Sequence, residues 1–184
     1  MKRIYLVRHG EAASSWGESA DPGLSQLGVQ QAESACKQLL ATLGDQQTDI
    51  VSSPLKRAQE TAAPLAERMQ QEVRIDDRFK EIPSPVPLAE RQDWLRAFMQ
   101  QRWSQQDDVL QQWRQEMLKG ILECGCDTVI FTHFLVINSV VGHCDGKENT
   151  LVAWPANASI SMLKVDEGVL GLVTLGEQMQ TRVN

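Results

Sequence analysis

The chain has 184 residues, 42% of them apolar and 23% charged, with a formal net charge of −6. That length supports one domain with a substantial core and is short for two. The acidic balance argues against general nucleic-acid binding, which wants a basic face, but leaves room for an anionic ligand held by a local arginine cluster.

The N-terminal stretch MKRIYLVRHGEA is apolar only from Ile4 to Val7, far too short for the core of a secretion signal. No run approaches the ~20 apolar residues of a membrane span. Cys36, Cys124, Cys126 and Cys144 are therefore expected as reduced thiols in a cytoplasmic protein.

RIYLV (3–7) is expected to be a buried parallel strand, because its apolar character is continuous rather than alternating. Ser25 suits an N-cap, and Ala32, Ala35, Cys36, Leu39, Leu40 and Leu43 follow on one helical face. DIVS (49–52) is a second strand. Ser53 suits a cap and Pro54 the first position of the next helix, where Ala58, Ala62, Leu65, Ala66 and Met69 share a face. Pro64 has no N–H to bond Glu60 and is expected to kink or break that helix.

IPSPVP (82–87) holds three prolines and suits neither helix nor central strand. The stretch AERQDWLRAFMQQRW is expected to be helical, with Trp94, Ala97 and Phe98 on one side. It is either packed on the body of the domain or a lid over a pocket. The Gln-rich residues 100–115 are interrupted by Trp103, Val109, Leu110 and Trp113 and are expected to be helix, not disorder. A further helix fits 108–123 through Val109, Leu110, Trp113, Met117, Ile121 and Leu122. TVIFT (128–132) is a third buried strand. ASISMLKV (158–165), the turn DEG (166–168) and VLGLVTL (169–175) form an antiparallel hairpin at or near a sheet edge. Strands alternating with helices predict an α/β fold with a mostly parallel sheet. It is expected as one domain over 1–184, with a helical insertion at about 82–106.

Parallel strands of an open sheet end at one edge, and ligands bind beyond those carboxyl ends. The first strand delivers Arg8, His9 and Glu11 there. The second delivers Ser52 and Ser53, then Arg57 in the first helical turn, and the third delivers Thr132 and His133. Each has an ordinary structural role when taken singly. Two histidines and two arginines meeting at one edge suit a phosphate. Arginine is a fixed fork of donors that stays charged, and a helix N-terminus adds free N–H groups. A neutral imidazole can attack phosphorus, and a protonated one can hold an oxygen. Neighbouring arginines bias His9 towards the neutral form. His143 follows Gly142 at a helix end, where a structural role favoured by the helix dipole accounts for it. Cys124-x-Cys126 has the wrong spacing for a zinc knuckle, and His143–Cys144 lacks a partner pair, so no metal is expected.

LVRHGEA, SSPLKRAQETA and FTHF, with LSQLGVQQA at 24–32, resemble the histidine phosphatase superfamily, the phosphoglycerate mutase-like proteins. The resemblance covers nearly the whole chain and is weakest over 82–106. It implies a three-layer α/β/α fold and phosphatase activity on a phosphomonoester, with no cofactor. It implies His9 as the nucleophile that becomes phosphohistidine. Arg8, Arg57 and His133 then hold the phosphoryl oxygens, and Glu81 in RFKEIPSP is the acid that later activates water. The residues alone leave Glu81 as a solvated surface carboxylate, and Glu11 as orienting the loop or an arginine. The expected partner is a phosphorylated small molecule, not nucleic acid or membrane. Mutase-type transfer, a protein phosphohistidine phosphatase and a non-catalytic phosphate-binding module stand as alternatives, and the short chain favours hydrolysis over mutase action. Phe134 stands where the family usually has glycine, and EIPSPVP lacks the family's glycine pattern after the acid. Both departures bear on substrate identity. Arg91 and Arg96 are either contacts to a substrate acid group or a solvated face.

Overall fold

Ile4 to Val7 are all buried, because helices cover both faces of the strand they occupy. In the computed structural model, which describes residues 1–14, 19–44 and 46–179, that strand is β1 (Lys2–Arg8). The chain continues through α1 (Gln26–Leu43), β2 (Thr48–Ser52), α2 (Lys56–Met69), β3 (Arg74–Ile75), α3 (Arg91–Phe98) and α4 (Asp108–Leu122). β4 (Asp127–Thr132), α5 (Phe134–Cys144), β5 (Ile160–Asp166) and β6 (Val169–Thr174) complete it. The six strands form one sheet in the order β3-β2-β4-β1-β5-β6. β3, β2, β4 and β1 pair in parallel, and β5 and β6 close the sheet as an antiparallel hairpin.

The pleat of β1 divides the core. Ile4 and Leu6 pack with Met117 and Ile121 of α4 and with Val136 and Val140 of α5. Tyr5 and Val7 pack with Ala35 and Leu39 of α1 and Leu65 of α2. The result is the three-layer α/β/α arrangement. The hairpin turn uses Glu167 and Gly168, both at positive φ (49° and 79°), a backbone twist that suits the strands it joins. No helix of the described residues is long and apolar enough to cross a membrane.

Several local expectations need correction. Ser25 does cap α1, its hydroxyl accepting from Gly28 N–H at 3.0 Å. Ser53 and Pro54 do not start α2. Ser53 N–H still bonds the Phe131 carbonyl (2.9 Å), so the chain is leaving the sheet there, and the helix begins at Lys56. Pro64 does not break α2. Ala62 and Leu65 are fully buried on either side of it, and that packing holds the helix across the one missing bond. In α4, Leu110, Met117 and Ile121 are buried, whereas Val109 and Leu122 face solvent. Residues 100–107 are not α-helical. They hold a single 3₁₀ turn at Trp103–Gln105.

α3 is shorter than the pattern predicts and buries Leu95 and Phe98, not Ala97. These two join Ile82, Trp103, Leu110, Phe134 and Leu135 in a separate apolar cluster. That cluster fixes residues 82–106 onto α4 and the start of α5, beside the carboxyl ends of the strands.

Candidate active site

β1 and β4 are adjacent, and their register pairs Arg8 with Thr132. The next residue on each strand is a histidine, so His9 and His133 leave the sheet level with one another. His9 N–H bonds the Thr132 carbonyl (2.9 Å), and the two ring centroids are 5.2 Å apart. Ser53 leaves the sheet on the other side of β4. Gly10 follows because the chain turns against α1 at once: a Cβ there would sit 2.5 Å from the Gly28 carbonyl oxygen. Its N–H donates to Thr61 Oγ1 (3.0 Å), and that hydroxyl donates to the Arg57 carbonyl (2.6 Å). The β1 loop and the first turn of α2 are thereby tied together.

The hydrogen bonds fix both histidine tautomers. His9 Nδ1 lies 2.7 Å from the Gly10 carbonyl, which only accepts, so Nδ1 carries the proton. Nε2 is therefore the lone-pair atom, and it accepts from Arg57 Nε at 3.1 Å. His133 has the opposite arrangement. Its Nδ1 faces Arg57 Nη2 at 3.2 Å, and a guanidinium only donates. Its Nε2–H then donates to Ser53 Oγ at 2.7 Å. Burial, followed by the charges of Arg57 and Arg8, pushes the His9 imidazolium pKa down to about 3. Burial holds His133 well below the usual histidine range, with His9, Arg57 and Arg8 adding to the effect. Both rings are neutral at neutral pH.

Arg8 is buried. Its Nη1 donates to the Pro155 carbonyl (2.7 Å), and its guanidinium lies 5.1 Å from the Phe134 ring centroid. Its Nε–H is buried with no partner among the described residues, a state that costs about 1–3 kcal/mol unless a ligand oxygen relieves it. Desolvation lowers the Arg8 pKa to about 10, against the opposing pull of Glu81. Arg57 is likewise lowered by burial, with Glu81 and Asp21 opposing.

Glu81 is buried, not a solvated surface residue. Its Oε1 accepts from Ile82 N–H (3.0 Å) and its Oε2 from Leu135 N–H (3.5 Å) in the first turn of α5. Burial raises its pKa even though those bonds and the charges of Arg57 and Arg91 pull the other way. Phe79, two positions before it, and Ile82, the next residue, are fully buried, and those apolar neighbours were the available sequence signal.

A cleft of about 690 Å³ opens on this set, with Leu55, Arg57, Glu81, Ile82, Val86 and Arg91 among its walls. Arg8, His9 and His133 lie buried next to the wall that Arg57 and Glu81 form. Arg91 bonds the Ile82 carbonyl at 3.3 Å and faces the cleft, whereas Arg96 is exposed and pairs with Asp93. Glu11 ties its loop to the start of α1: its Oε1 accepts from Ser25 Oγ at 2.7 Å, and among the described residues it pairs with no arginine. Sequence reasoning missed Ser53 as the partner of His133, and Thr61 as the tie between the two loops. Among the described residues no group of three or more His, Cys, Asp or Glu is placed to hold a metal ion. The thiols of Cys36, Cys124, Cys126 and Cys144 are unpaired.

Chemically, the set offers one imidazole lone pair, two guanidinium groups, a second imidazole and a carboxyl with a raised pKa. Groups of those kinds can serve as a nucleophile, a cationic cup for an anion and a proton donor.

The family model described as histidine phosphatase superfamily (branch 1) matches residues 4–178. A glucosyl-3-phosphoglycerate phosphatase of Mycolicibacterium vanbaalenii is 39% identical over 85 residues, covering 44% of this chain and 36% of that protein. The chain is thus aligned to little more than a third of that relative. Bacillus stearothermophilus YhfR superposes with a TM-score of 0.76 at 22% identity, over 95% of this chain and 96% of that one. A phosphoserine phosphatase of Entamoeba histolytica, solved with 3-phosphoglyceric acid, gives 0.73 at 22% identity over 97% and 98%. Strand-end motifs, sheet order and family match agree: the chain belongs to the histidine phosphatase superfamily.

Proposed function

We propose that the protein is a phosphatase that hydrolyses a small-molecule phosphomonoester through a phosphohistidine on His9. The observation that carries this reading is the His9 tautomer, which leaves the Nε2 lone pair facing the cationic cup. Nε2 attacks phosphorus as the ester P–O bond breaks in line, and Glu81 gives its proton to the departing oxygen. The alcohol leaves, and the ionised Glu81 takes a proton from an entering water. That water oxygen attacks phosphorus, the N–P bond breaks, and phosphate departs with His9 neutral again. Arg8, Arg57 and His133 carry the charge that spreads over the non-transferring oxygens, the main task in phosphoryl transfer. The partnerless Arg8 Nε–H supports a phosphoryl oxygen at that position.

Arg57 has a second task. Its Nε must leave His9 Nε2 before attack, and the arriving phosphoryl anion draws it away. Residues 82–106 form the insertion that walls the leaving-group side of the single domain. A walled cleft suits a small molecule better than a protein surface. The relatives named as acting on glucosyl-3-phosphoglycerate and on phosphoserine support the same class. The unpaired thiols suit a reducing, cytoplasmic setting.

The test is a phosphate-release screen over many phosphomonoesters, run with acid-quenched trapping of ³²P on the protein. Release with label on His9, lost in His9→Ala, supports the reading. Isomer exchange of phosphoglycerate without phosphate release replaces it with a mutase. Turnover confined to phosphohistidine proteins moves the substrate to protein, and binding of phosphate without label or turnover leaves a binding module.

A further inference from the structure

The contact between Ser53 and His133 is not explained by folding alone. Ser53 is fully buried, and its Oγ accepts two bonds, from Leu55 N–H (3.2 Å) and from His133 Nε2–H (2.7 Å). Capping the approach to α2 needs only the first. The second points an accepting oxygen at the ring atom farthest from the cationic cup. It comes from a neighbouring strand end, 80 positions away in sequence. We propose that Ser53 is a positioning residue that holds the His133 Nε2 proton, so that Nδ1 is the atom presented to the phosphoryl oxygens. This rests on the reading of the site as a phosphoryl-transfer centre.

The argument follows from donor inventory. A neutral His133 has one N–H, and Ser53 takes it. Nδ1 then holds a lone pair, which faces Arg57 Nη2 at 3.2 Å in the ligand-free site. A lone pair facing a phosphoryl oxygen is repulsive. When a phosphomonoester monoanion enters, its own acidic proton can pass to Nδ1. The ring becomes an imidazolium, the ester becomes a dianion, and the new Nδ1–H donates to the oxygen that lost the proton. Nothing is gained or lost overall. The imidazolium needs acceptors on both nitrogens, and Ser53 Oγ is the one already in place on Nε2. The charged groups around the ring are Arg8 on β1, Arg57 on α2 and Arg91 on α3, with His9 beside it. These three cations oppose a charged His133 in the free protein, and an entering anion reverses that balance. The alternative tautomer, Nδ1–H with the Nε2 lone pair against a hydroxyl, would leave a donor directed at the Arg57 guanidinium, which cannot accept.

The experiment compares wild type, Ser53→Ala and Ser53→Thr. Side-chain ¹⁵N spectra of His133 are recorded without ligand and with inorganic phosphate, alongside kinetics on p-nitrophenyl phosphate and a thermal melt. In wild type, His133 is expected as the Nε2–H tautomer and gains a second protonated nitrogen on phosphate addition. Ser53→Ala is expected to mix the tautomers, weaken that protonation and lower kcat/KM about 10- to 100-fold, as loss of a charge-assisted hydrogen bond does. Ser53→Thr keeps the acceptor and is expected to restore the His133 spectrum. Loss of activity in Ser53→Ala with the His133 spectrum unchanged would assign Ser53 to the Leu55 bond alone and overturn the proposal. An unchanged spectrum with unchanged kinetics overturns it as well. If wild type turns over no phosphoester, the phosphatase reading fails, and the phosphate-titrated spectra still decide the role of Ser53.

Discussion

Arg57 Nε donates to His9 Nε2 across 3.1 Å, so the guanidinium occupies the lone pair that the proposed attack by His9 requires. The same guanidinium reaches His133 through Nη2. One side chain therefore bonds both rings in the ligand-free site. In Arg57→Ala, the first effect expected is a rise in the His9 pKa, because the Arg57 charge is the second cause of its depression after burial. The second is a loss of phosphate affinity, with Arg57→Lys intermediate because ammonium lacks the fork. Histidine NMR titration and inhibition by inorganic phosphate check the two. An unmoved His9 pKa in Arg57→Ala contradicts the coupling.

Glu81 gives a prediction with opposite signs for rate and stability. As the proposed acid, its loss in Glu81→Gln is expected to lower kcat by about 10²- to 10⁴-fold. The effect should shrink for esters whose leaving group needs no proton, such as p-nitrophenyl phosphate. For stability, its folded pKa is raised. The protonated form is the one favoured in the fold, so its contribution is present at low pH and fades as pH rises through the raised pKa. Glu81→Gln is therefore expected to melt higher than wild type at neutral pH and to converge with it in acid. Paired melts at two pH values decide this.

The histidines set an acid limit. The His9 pKa falls to about 3 in the fold, and His133 is also held far down. The unfolded chain takes up those protons near pH 6.5. Stability is then present above that pH and is lost as pH falls from about 6.5 towards about 3. Each ring adds at most about 1.4 kcal/mol per pH unit to the slope. Replacing His9 with Gln is expected to flatten the acid side of a urea-stability profile by up to that amount. An unchanged slope would falsify the buried, neutral assignment.

Arg91 is expected to read the leaving group. It lines the cleft with Glu81 and Arg57, and among the described residues it bonds a single carbonyl, at 3.3 Å, which leaves most of its donors open to a ligand there. Arg91→Gln is expected to raise KM about tenfold for phosphoesters whose alcohol bears a carboxylate. Uncharged alcohols such as glycerol should be affected less than twofold. Equal effects on both classes would show that Arg91 acts on the phosphoryl cup and not on the alcohol.

Phe134 is a buried ring that packs on the Arg8 guanidinium and, 5.5 Å away, on Trp154. Phe134→Ala is expected to cost about 3–5 kcal/mol in a denaturant titration. It should also loosen Arg8, seen as a weaker inhibition by phosphate. A loss of stability with phosphate inhibition intact would confine Phe134 to packing.

The sheet was legible because β1, β2 and β4 are covered on both faces and so carry unbroken apolar runs. The charged residues just beyond those runs then had only one place to meet. What stayed hidden depended on tertiary packing. Pro64 signals a break, and only the burial of Ala62 and Leu65 against the sheet overrides it. The Trp94–Ala97–Phe98 stripe mistakes the buried side of α3, because Leu95 and Phe98 enter a cluster completed by Ile82 and Phe134, distant in sequence. Glu81 looked solvated because its charge was legible and its enclosure was not. Ser53 looked like a helix cap because hydroxyls cap helices more often than they serve a histidine one strand away.

The proposed phosphoryl cup sits at the ends of three adjoining strands in the middle of the sheet, and the proposed leaving-group wall comes from the stretch at 82–106. The two meet at Phe134, which joins the 82–106 cluster and packs on Arg8. A new alcohol can be accommodated by rewriting that stretch while the spacing of His9, Arg57 and His133 stays locked to the strand register. Exchange of the stretch between relatives is thus expected to change which alcohol is accepted more than the phosphoryl chemistry.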